Sequence, residues 1–190
     1  MRRTLLFIGW ALGLALAATL QGCANAPRSD VQFQAQAATP YVLAAGDRLR
    51  VIVFGQDSLS NSFSVDSSGH ISMPLIGPVS ATGRTTVQLA REIEEKLRNG
   101  YVREPRVSVE VEAYRPFFVL GEVTTSGQYP YVNGMTVETA VAIAGGFTPR
   151  ARKDNAQLTR TQDGRTFTVD VPINQPVKPG DTVYIQERFF

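Results

Sequence analysis

The sequence feature that most constrains the fold is the stretch over residues 66–83, DSSGHISMPLIGPVSATG. It opens with a turn signal, because aspartate hydrogen-bonds nearby backbone and glycine accepts a positive φ. Ile71 and Met73 then alternate with polar neighbours, which predicts a half-buried strand. Two prolines and a glycine follow, and proline cannot donate to a sheet ladder, so we expect a sheet edge or a corner there. The apolar residues between these breaks are predicted to be buried: Leu75, Ile76 and Val79.

The flanking sequence predicts a small α+β domain over residues 41–113. A helix is expected over residues 86–99, with Thr85 or Thr86 as its N-cap. Leu89, Ile93 and Leu97 recur at helical spacing and form its apolar stripe, with Val87 and Ala90 beside them. Strands are expected at residues 41–43, 49–53, 71–73 and 106–113. The stretch over residues 66–83 would then place one helix against one sheet.

Residues 114–190 predict a second module. It would hold a strand over residues 117–120, a short helix from Thr136 and a final strand over residues 182–186. A hairpin is expected at residues 156–171, with a primed turn at Asp163-Gly164. Gly180-Asp181 before the last strand echoes Gly46-Asp47 before the first, which indicates a repeated turn-to-strand device. Five of the basic residues in this module would meet an acidic glycan, lipid head groups, solvent or another subunit: Arg150, Arg152, Lys153, Arg160 and Arg165.

Composition and charge describe an ordinary globular chain. Of the 190 residues, 43% are hydrophobic and 19% are charged. The formal net charge is +2, but Arg2 and Arg3 belong to a segment that we expect to be removed. Without them 17 of the 19 basic residues remain, which equals the 17 acidic residues. A near-neutral mature chain argues against a nucleic-acid partner, which needs clustered Lys and Arg.

The N-terminus has the composition of a targeting signal. Arg2 and Arg3 precede an apolar run over residues 5–20, which is shorter than the ~20 residues that span a bilayer comfortably. The following Gly22-Cys23 resembles a bacterial lipobox, which implies a lipoprotein signal peptide at residues 1–22 and lipidation of Cys23. An ordinary signal peptide or an anchor helix with an incidental cysteine is the alternative.

Lipidation would give the chain a lasting attachment to a membrane. Each buried CH₂ contributes about 0.8 kcal/mol, and two or more acyl chains are needed for stable anchoring. Ala24, rather than aspartate, follows the cysteine. By resemblance to enterobacterial lipoproteins, this residue at this position implies sorting to the outer membrane. Residues 23–40 are rich in Ala, Gln, Ser and Pro without periodicity, which predicts a flexible tether.

Three segments together resemble the polysaccharide export domain of bacterial outer-membrane exporters of capsule and exopolysaccharide. They are YVLAAGDRLRVIVF, FSVDSSGHISMPLIGPVSATGRT before the helix, and YVREPRVSVEV after it. The segment VLGEVTTSGQYPYVNGMTVETAVAIAGGFT resembles the soluble-ligand-binding β-grasp module that follows that domain in the same family. The resemblance implies an α+β fold, with an export domain at residues 41–113 and a β-grasp module with C-terminal strands at residues 114–190.

The family resemblance also implies a function. It implies a periplasm-facing, lipid-anchored (palmitate-bearing) outer-membrane protein that forms a homo-oligomeric ring and guides a secreted polysaccharide. An inner-membrane polysaccharide co-polymerase is the implied partner. Long members carry a further amphipathic helix that spans the outer membrane, and we expect this chain to be a short form without it. The alternative is a periplasmic lipoprotein that binds a carbohydrate or small ligand through its β-grasp module without forming a conduit.

Enzymatic chemistry is not indicated. The sequence has no G-x-S-x-G motif, no Cys/His pair and no metal-spaced cluster, so we expect no catalytic residue, metal or cofactor. His70, the single histidine, and the carboxylate pairs Glu94/Glu95 and Glu110/Glu112 are the remaining acid/base candidates. A surface turn residue and solvated strand or helix faces are the simpler interpretations of them.

Overall fold

A computed structural model describes residues 40–162 and 164–188. The structure divides the chain into two units, Met1–Pro40 and Tyr41–Phe190, and the second contains all the described elements. The predicted signal peptide, the lipidated Cys23 and the tether up to residue 39 lie outside the described residues.

The described residues form an α+β fold, as the sequence predicts. A single turn of 3₁₀ helix lies at Asp57–Leu59. The helices are α1 (Thr86–Arg98) and α2 (Val137–Ile143). The strands are β1 (Arg48–Val53), β2 (Asn61–Ser64), β3 (His70–Met73), β4 (Gly77–Ser80), β5 (Val107–Ala113), β6 (Phe117–Gly121), β7 (Gly127–Tyr129), β8 (Asn155–Gln162), β9 (Arg165–Pro172) and β10 (Thr182–Ile185).

The first hydrophobic core lies between α1, an antiparallel sheet in the order β2-β1-β5 and the β3-β4 hairpin. Leu89, Ile93 and Leu97 on α1 are fully buried, so the predicted stripe is confirmed. Burying a Leu or Ile side chain stabilises a fold by roughly 1.5–3 kcal/mol, so this stripe is what holds the helix in place. The alternation predicted for β1 is also confirmed, with three buried side chains facing the helix: Leu49, Val51 and Val53.

The stretch over residues 66–83 forms the turn and the strand that its pattern predicts, but the expected edge or corner is a hairpin with a second strand, β4, and its tip also differs from the prediction. Ile71 and Val79 pair across the hairpin and are both fully buried. Leu75, which we expected inside, is 60% exposed and is the one non-glycine residue with positive φ (68°) among the described residues. Only three residues connect Met73 to Gly77, and this tight reversal turns Leu75 outward.

Two further expectations of the first domain were wrong. Val87 is exposed, because it lies in the first turn of α1, beyond the edge of the buried stripe. Residues 41–43 are not a strand. They are held instead by isolated backbone hydrogen bonds from Leu43 N to Arg84 O (2.8 Å) and from Gly83 N to Leu43 O (2.9 Å).

Thr85 is the N-cap of α1. Its hydroxyl accepts from Gln88 N at 3.3 Å, and Gln88 Oε1 accepts from Thr85 N at 2.9 Å, which completes a capping box. The structure therefore decides between the two threonines that the sequence left open.

Replacing Thr85 should destabilise the protein more than replacing its neighbour. We expect Thr85→Ala to lower the free energy of unfolding by about 1 kcal/mol, because the backbone N–H of Gln88 at the helix start loses the hydroxyl that accepts from it. Thr86→Ala, within the first helical turn, is the control and should change stability by less than about 0.5 kcal/mol. Urea denaturation measures both, and equal losses would contradict the assignment of the cap.

The second core lies beneath a five-stranded sheet in the order β7-β6-β10-β8-β9. β6 and β10 are parallel, and the other pairs are antiparallel. The helix begins at the N-cap Thr136, and the residues predicted to face inward are buried: Val137, Ala140, Val141 and Ala144. The predicted hairpin is confirmed by the uninterrupted β8-β9 register from Asn155↔Pro172 to Gln162↔Arg165. Its turn type depends on Asp163, which lies outside the described residues.

Candidate functional site

Two buried aspartates organise equivalent turns in the two modules. Asp47 Oδ2 accepts from Ala44 N at 2.9 Å and from the Tyr41 hydroxyl at 2.7 Å. Asp181 Oδ2 accepts from Lys178 N at 2.7 Å, the same three-residue closure. The sequence echo between Gly46-Asp47 and Gly180-Asp181 is therefore a structural one, in which each carboxylate closes the turn before a strand.

Each buried carboxylate also contacts an arginine. Arg160 grips Asp181 with two hydrogen bonds, at 2.9 Å from Nε and 2.7 Å from Nη2, and both side chains are almost completely buried. Arg115 donates its backbone N–H to Asp47 Oδ1 at 2.9 Å, and its Nη1 lies 3.5 Å from Asp47 Oδ2. A buried charge needs such a partner, so both turns depend on a distant arginine.

Arg115 fixes the two modules against each other. Its Nη1 donates to the Tyr41 hydroxyl at 2.9 Å on the side of the first module. On the other side its guanidinium arm passes so close to Gly180 that a Cβ there would lie 2.7 Å from Arg115 Nε. One side chain thus packs between both turns, and a glycine at position 180 gives it room.

Three tyrosines continue this junction. The ring centroids of Tyr41 and Tyr114 are 4.8 Å apart, and those of Tyr114 and Tyr131 are 5.4 Å apart, both edge to face. Burial, reinforced by the hydrogen bond to Asp47, raises the pKa of Tyr41 far above its ordinary value. Burial also raises the pKa of Tyr131. Both phenols therefore stay protonated near neutral pH, and Tyr41 remains a hydrogen-bond donor to Asp47.

The outward side of the five-stranded sheet presents a different surface. Phe118, Leu120 and Tyr184 share this side on β6 and β10, and they are 38%, 40% and 44% exposed. We call these three residues the apolar strip. The sheet register places Gln157 beside Tyr184 and Asp170 beyond it. A second row begins at Phe118 and continues across the neighbouring strands through three threonines: Thr182, Thr159 and Thr168.

The acid/base candidates are dispersed. His70 lies at the start of β3, with its Nδ1 3.2 Å from Ser68 Oγ. Glu94 accepts from Val107 N at 2.9 Å and so serves as a structural cap for β5. Hydrogen bonds from Ser62, together with the nearby Arg48, lower the pKa of the exposed Glu112. Each of these groups has a structural or surface environment rather than a place in a cleft beside another candidate.

Asp66 controls the turn that opens the stretch over residues 66–83. Its Oδ1 accepts from Ser68 Oγ at 2.6 Å, from Ser68 N at 2.9 Å and from His70 N at 2.9 Å. These bonds hold the pKa of Asp66 below its ordinary value, and the bond from the Ser68 hydroxyl has the largest effect. A carboxyl group with a lowered pKa in the folded state stabilises the fold above its unfolded pKa, and this contribution is lost as the pH falls.

We expect Asp66→Asn to destabilise the protein at neutral pH, with the difference from wild type shrinking as the pH falls below about 4. Thermal denaturation between about pH 7 and pH 3 measures this. In a companion NMR titration, Ser68→Ala should raise the pKa of Asp66 toward its ordinary value. A stability difference that does not change with pH would contradict the role of the charge.

Other candidate sites carry little chemistry. In the described ranges, no group of three His, Cys, Asp or Glu side chains could hold a metal ion. No helix in the described part of the chain has the length and apolar character needed to cross a membrane. A shallow depression over the exposed side of α1 is lined by Arg84, Gln88, Arg91, Glu92, Glu95, Lys96 and Asn99.

Two family models match the chain in the order of its two modules. Residues 35–112 match the polysaccharide biosynthesis/export protein family, and residues 116–170 match the SLBB domain. These two matches confirm the resemblance to the bacterial polysaccharide export protein family that was drawn from the sequence.

Curated relatives agree with this family. The chain is 37% identical over 132 residues to the exopolysaccharide production protein ExoF of Rhizobium meliloti, covering 63% of this chain and 31% of the relative. It is 28% identical over 186 residues to the EPS I polysaccharide export outer membrane protein EpsA of Ralstonia nicotianae, covering 80% and 48%. It is 28% identical over 111 residues to the polysialic acid transport protein KpsD of Escherichia coli, covering 57% and 20%. The chain thus spans between a fifth and a half of these relatives.

Sequence reasoning missed the junction between the modules. Arg115 and Tyr41 are 74 residues apart, and no local pattern connects them. It also placed Arg160 with the basic surface residues, which is wrong, because Arg160 is buried against Asp181. A signal was available here: Arg160 is in phase with Ala156 and Leu158, the buried side of β8.

Proposed function

We propose that this protein is a lipid-anchored component of a polysaccharide export channel, facing the periplasm at the outer membrane. In this proposal Cys23 carries the acyl chains, and several copies assemble head to tail into a ring, because heterologous contacts that close give cyclic symmetry. The ring would receive capsular or exopolysaccharide from an inner-membrane co-polymerase and guide it across the envelope.

The observation that carries this proposal is the order and junction of the two modules. An export module and an SLBB module follow one another in a family of polysaccharide export proteins. Arg115 and three tyrosines, all of them half-buried, tie the two modules together. A rigid unit of this kind suits a ring component, since a flexible junction would have to be ordered at each subunit contact.

The dispersed acid/base groups support a role without catalysis. Several of the described carboxylates are engaged in turns and caps, as Asp47, Asp181 and Glu94 are. A passing polymer would meet many weak contacts, and one tight binding site would stall it.

Deletion of the gene tests the export role. We expect secreted polysaccharide to disappear while polymer synthesis continues, so that the product accumulates inside the cell. Complementation with the wild-type gene should restore secretion, and complementation with Cys23→Ser should not. Normal secretion by the deletion strain would refute the proposal.

Two further experiments test the anchor and the ring. Radiolabelled palmitate should enter the wild-type protein and not Cys23→Ser. Light scattering of the lipidated protein in detergent should give a particle of several copies.

The second candidate is a periplasmic lipoprotein that binds a carbohydrate or small ligand without forming a conduit. The apolar strip and the polar rows beside it would offer such a ligand a surface. A monomer in detergent that binds a short oligosaccharide with a defined saturable stoichiometry would support it over the channel component.

A further inference from the structure

The outward side of the second module differs from an ordinary solvated sheet face. The apolar strip Phe118, Leu120 and Tyr184 is continuous, because Leu120 pairs with Tyr184 across β6 and β10 and Phe118 lies two residues before Leu120. Its two aromatic rings stand on neighbouring strands with an uninterrupted register, and such strands are separated by about 4.8 Å.

Amide, carboxylate and hydroxyl groups lie beside the strip on the same side of the sheet. Beyond Tyr184 the register brings Gln157 on β8 and then Asp170 on β9. Beyond Phe118 it brings Thr159 and Thr168, whose hydroxyl oxygens are 2.9 Å apart. An amide, a carboxylate and hydroxyl groups together supply both hydrogen-bond donors and acceptors. Each apolar row thus continues into a polar row along the same side of the sheet.

The strip is too small for a stable subunit contact. Aromatic side chains offer about 150–250 Å² each, so three side chains exposed by roughly two fifths present about 250 Å². A stable protein interface buries about 800 Å² on each partner, of which roughly 450 Å² is apolar. The amount of apolar surface therefore fits a small amphipathic ligand better than a second protein.

We propose that the outward side of the five-stranded sheet is a contact surface for a saccharide chain, which stacks pyranose rings on Tyr184 and Phe118. A pyranose has an apolar face of C–H groups and a rim of hydroxyl groups. The C–H face lies on the aromatic rings, and the hydroxyl rim bonds to Gln157, Asp170 and the threonine hydroxyls. This inference rests on the proposed export function and names the surface through which the second module touches the polymer.

The contact must be weak and repeated. The site is open, so water competes for every hydrogen bond and the net contribution of each is about 0.5–1.5 kcal/mol. A chain that slides along such a surface exchanges one ring for the next at little cost. The same rows of aromatic and polar side chains remain available as each sugar unit passes.

The test is saturation-transfer NMR on the full lipidated chain in detergent, with cellohexaose as a neutral probe and hexagalacturonate as an acidic one. We expect wild type to bind at least one probe. Tyr184→Thr, which keeps a β-branched strand residue, should weaken binding by about tenfold or more, whereas Tyr184→Phe retains it. Phe167→Thr is the matched control, because Phe167 is similarly exposed but lies on the opposite side of the sheet, and it should bind like wild type.

Two results of the binding experiment would overturn the inference: equal binding by Tyr184→Thr and wild type, and no binding of either probe by wild type. Equal binding together with a change of particle mass in Tyr184→Thr would make the strip a contact between copies. Secretion separates this inference from the proposed function: if deletion abolishes secretion and Tyr184→Thr secretes normally, the surface is wrong while the export role stands. If the deletion strain secretes normally and the strip binds sugar, the export role is wrong while the saccharide surface stands.

Discussion

Asp181→Ala should lower the free energy of unfolding by about 3–5 kcal/mol, which is the cost of removing one partner from a buried ion pair. The substitution leaves the guanidinium of Arg160 buried without its carboxylate and removes the acceptor of Lys178 N. Domains are typically stable by only about 5–15 kcal/mol, so the variant should melt at a markedly lower temperature.

Two companion variants sharpen this experiment. Asp170→Ala removes an exposed carboxylate from the neighbouring β9 and should change stability by less than about 0.5 kcal/mol. The double variant Arg160→Met with Asp181→Leu removes both charges and should be more stable than Asp181→Ala alone, because no buried charge is left unpaired. A loss below about 1 kcal/mol in Asp181→Ala would show that Arg160 finds another partner or reaches water.

Gly121→Ala is the second large effect that we expect, and it should destabilise the protein by about 2–5 kcal/mol. Gly121 has a φ of 85°, which costs an alanine about 1–2 kcal/mol. In addition, a Cβ at this position would lie 2.1 Å from Ile185 O, so the end of β6 would have to move away from β10. Overpacking of this kind costs a further 1–3 kcal/mol or so.

Gly134→Ala isolates the contribution of the contact. Gly134 has nearly the same φ, 84°, but a Cβ there would meet nothing within 4 Å. It should therefore suffer the backbone strain alone, and thermal denaturation of both variants should separate them by about 1–3 kcal/mol. Similar losses in the two proteins would mean that β6 and β10 adjust to the extra methyl group at little cost.

The parts of the fold that could be predicted are those fixed by local pattern. Leu89, Ile93 and Leu97 lie on one side of any helix with this spacing, so their burial followed from the sequence. The β8-β9 hairpin followed in the same way, from two alternating runs and a two-residue turn signal. These signals lie within a few residues of one another and do not depend on the rest of the chain.

The parts that could not be predicted depend on distant partners or on one competing signal. Leu75 is apolar, yet the tight turn between β3 and β4 exposes it. Arg160 is charged, yet its position in β8 and the carboxylate of Asp181 bury it. Tyr41, Tyr114 and Arg115 form one cluster only after both modules have folded. The outward surface of the second module likewise needed the strand order β6-β10-β8-β9, which no local pattern gives.

The position of β10 in the second sheet has a consequence for how the protein is made. This strand lies between β6 and β8, although it follows both of them in the chain. The central strand of the sheet is therefore missing until residue 185 has been synthesised. Until then β6 and β8 each lack one of their two neighbouring strands. Long-range pairing of this sort slows folding. The second module can therefore complete its fold only when its last strand arrives, and β6 and β8 then gain their shared partner together.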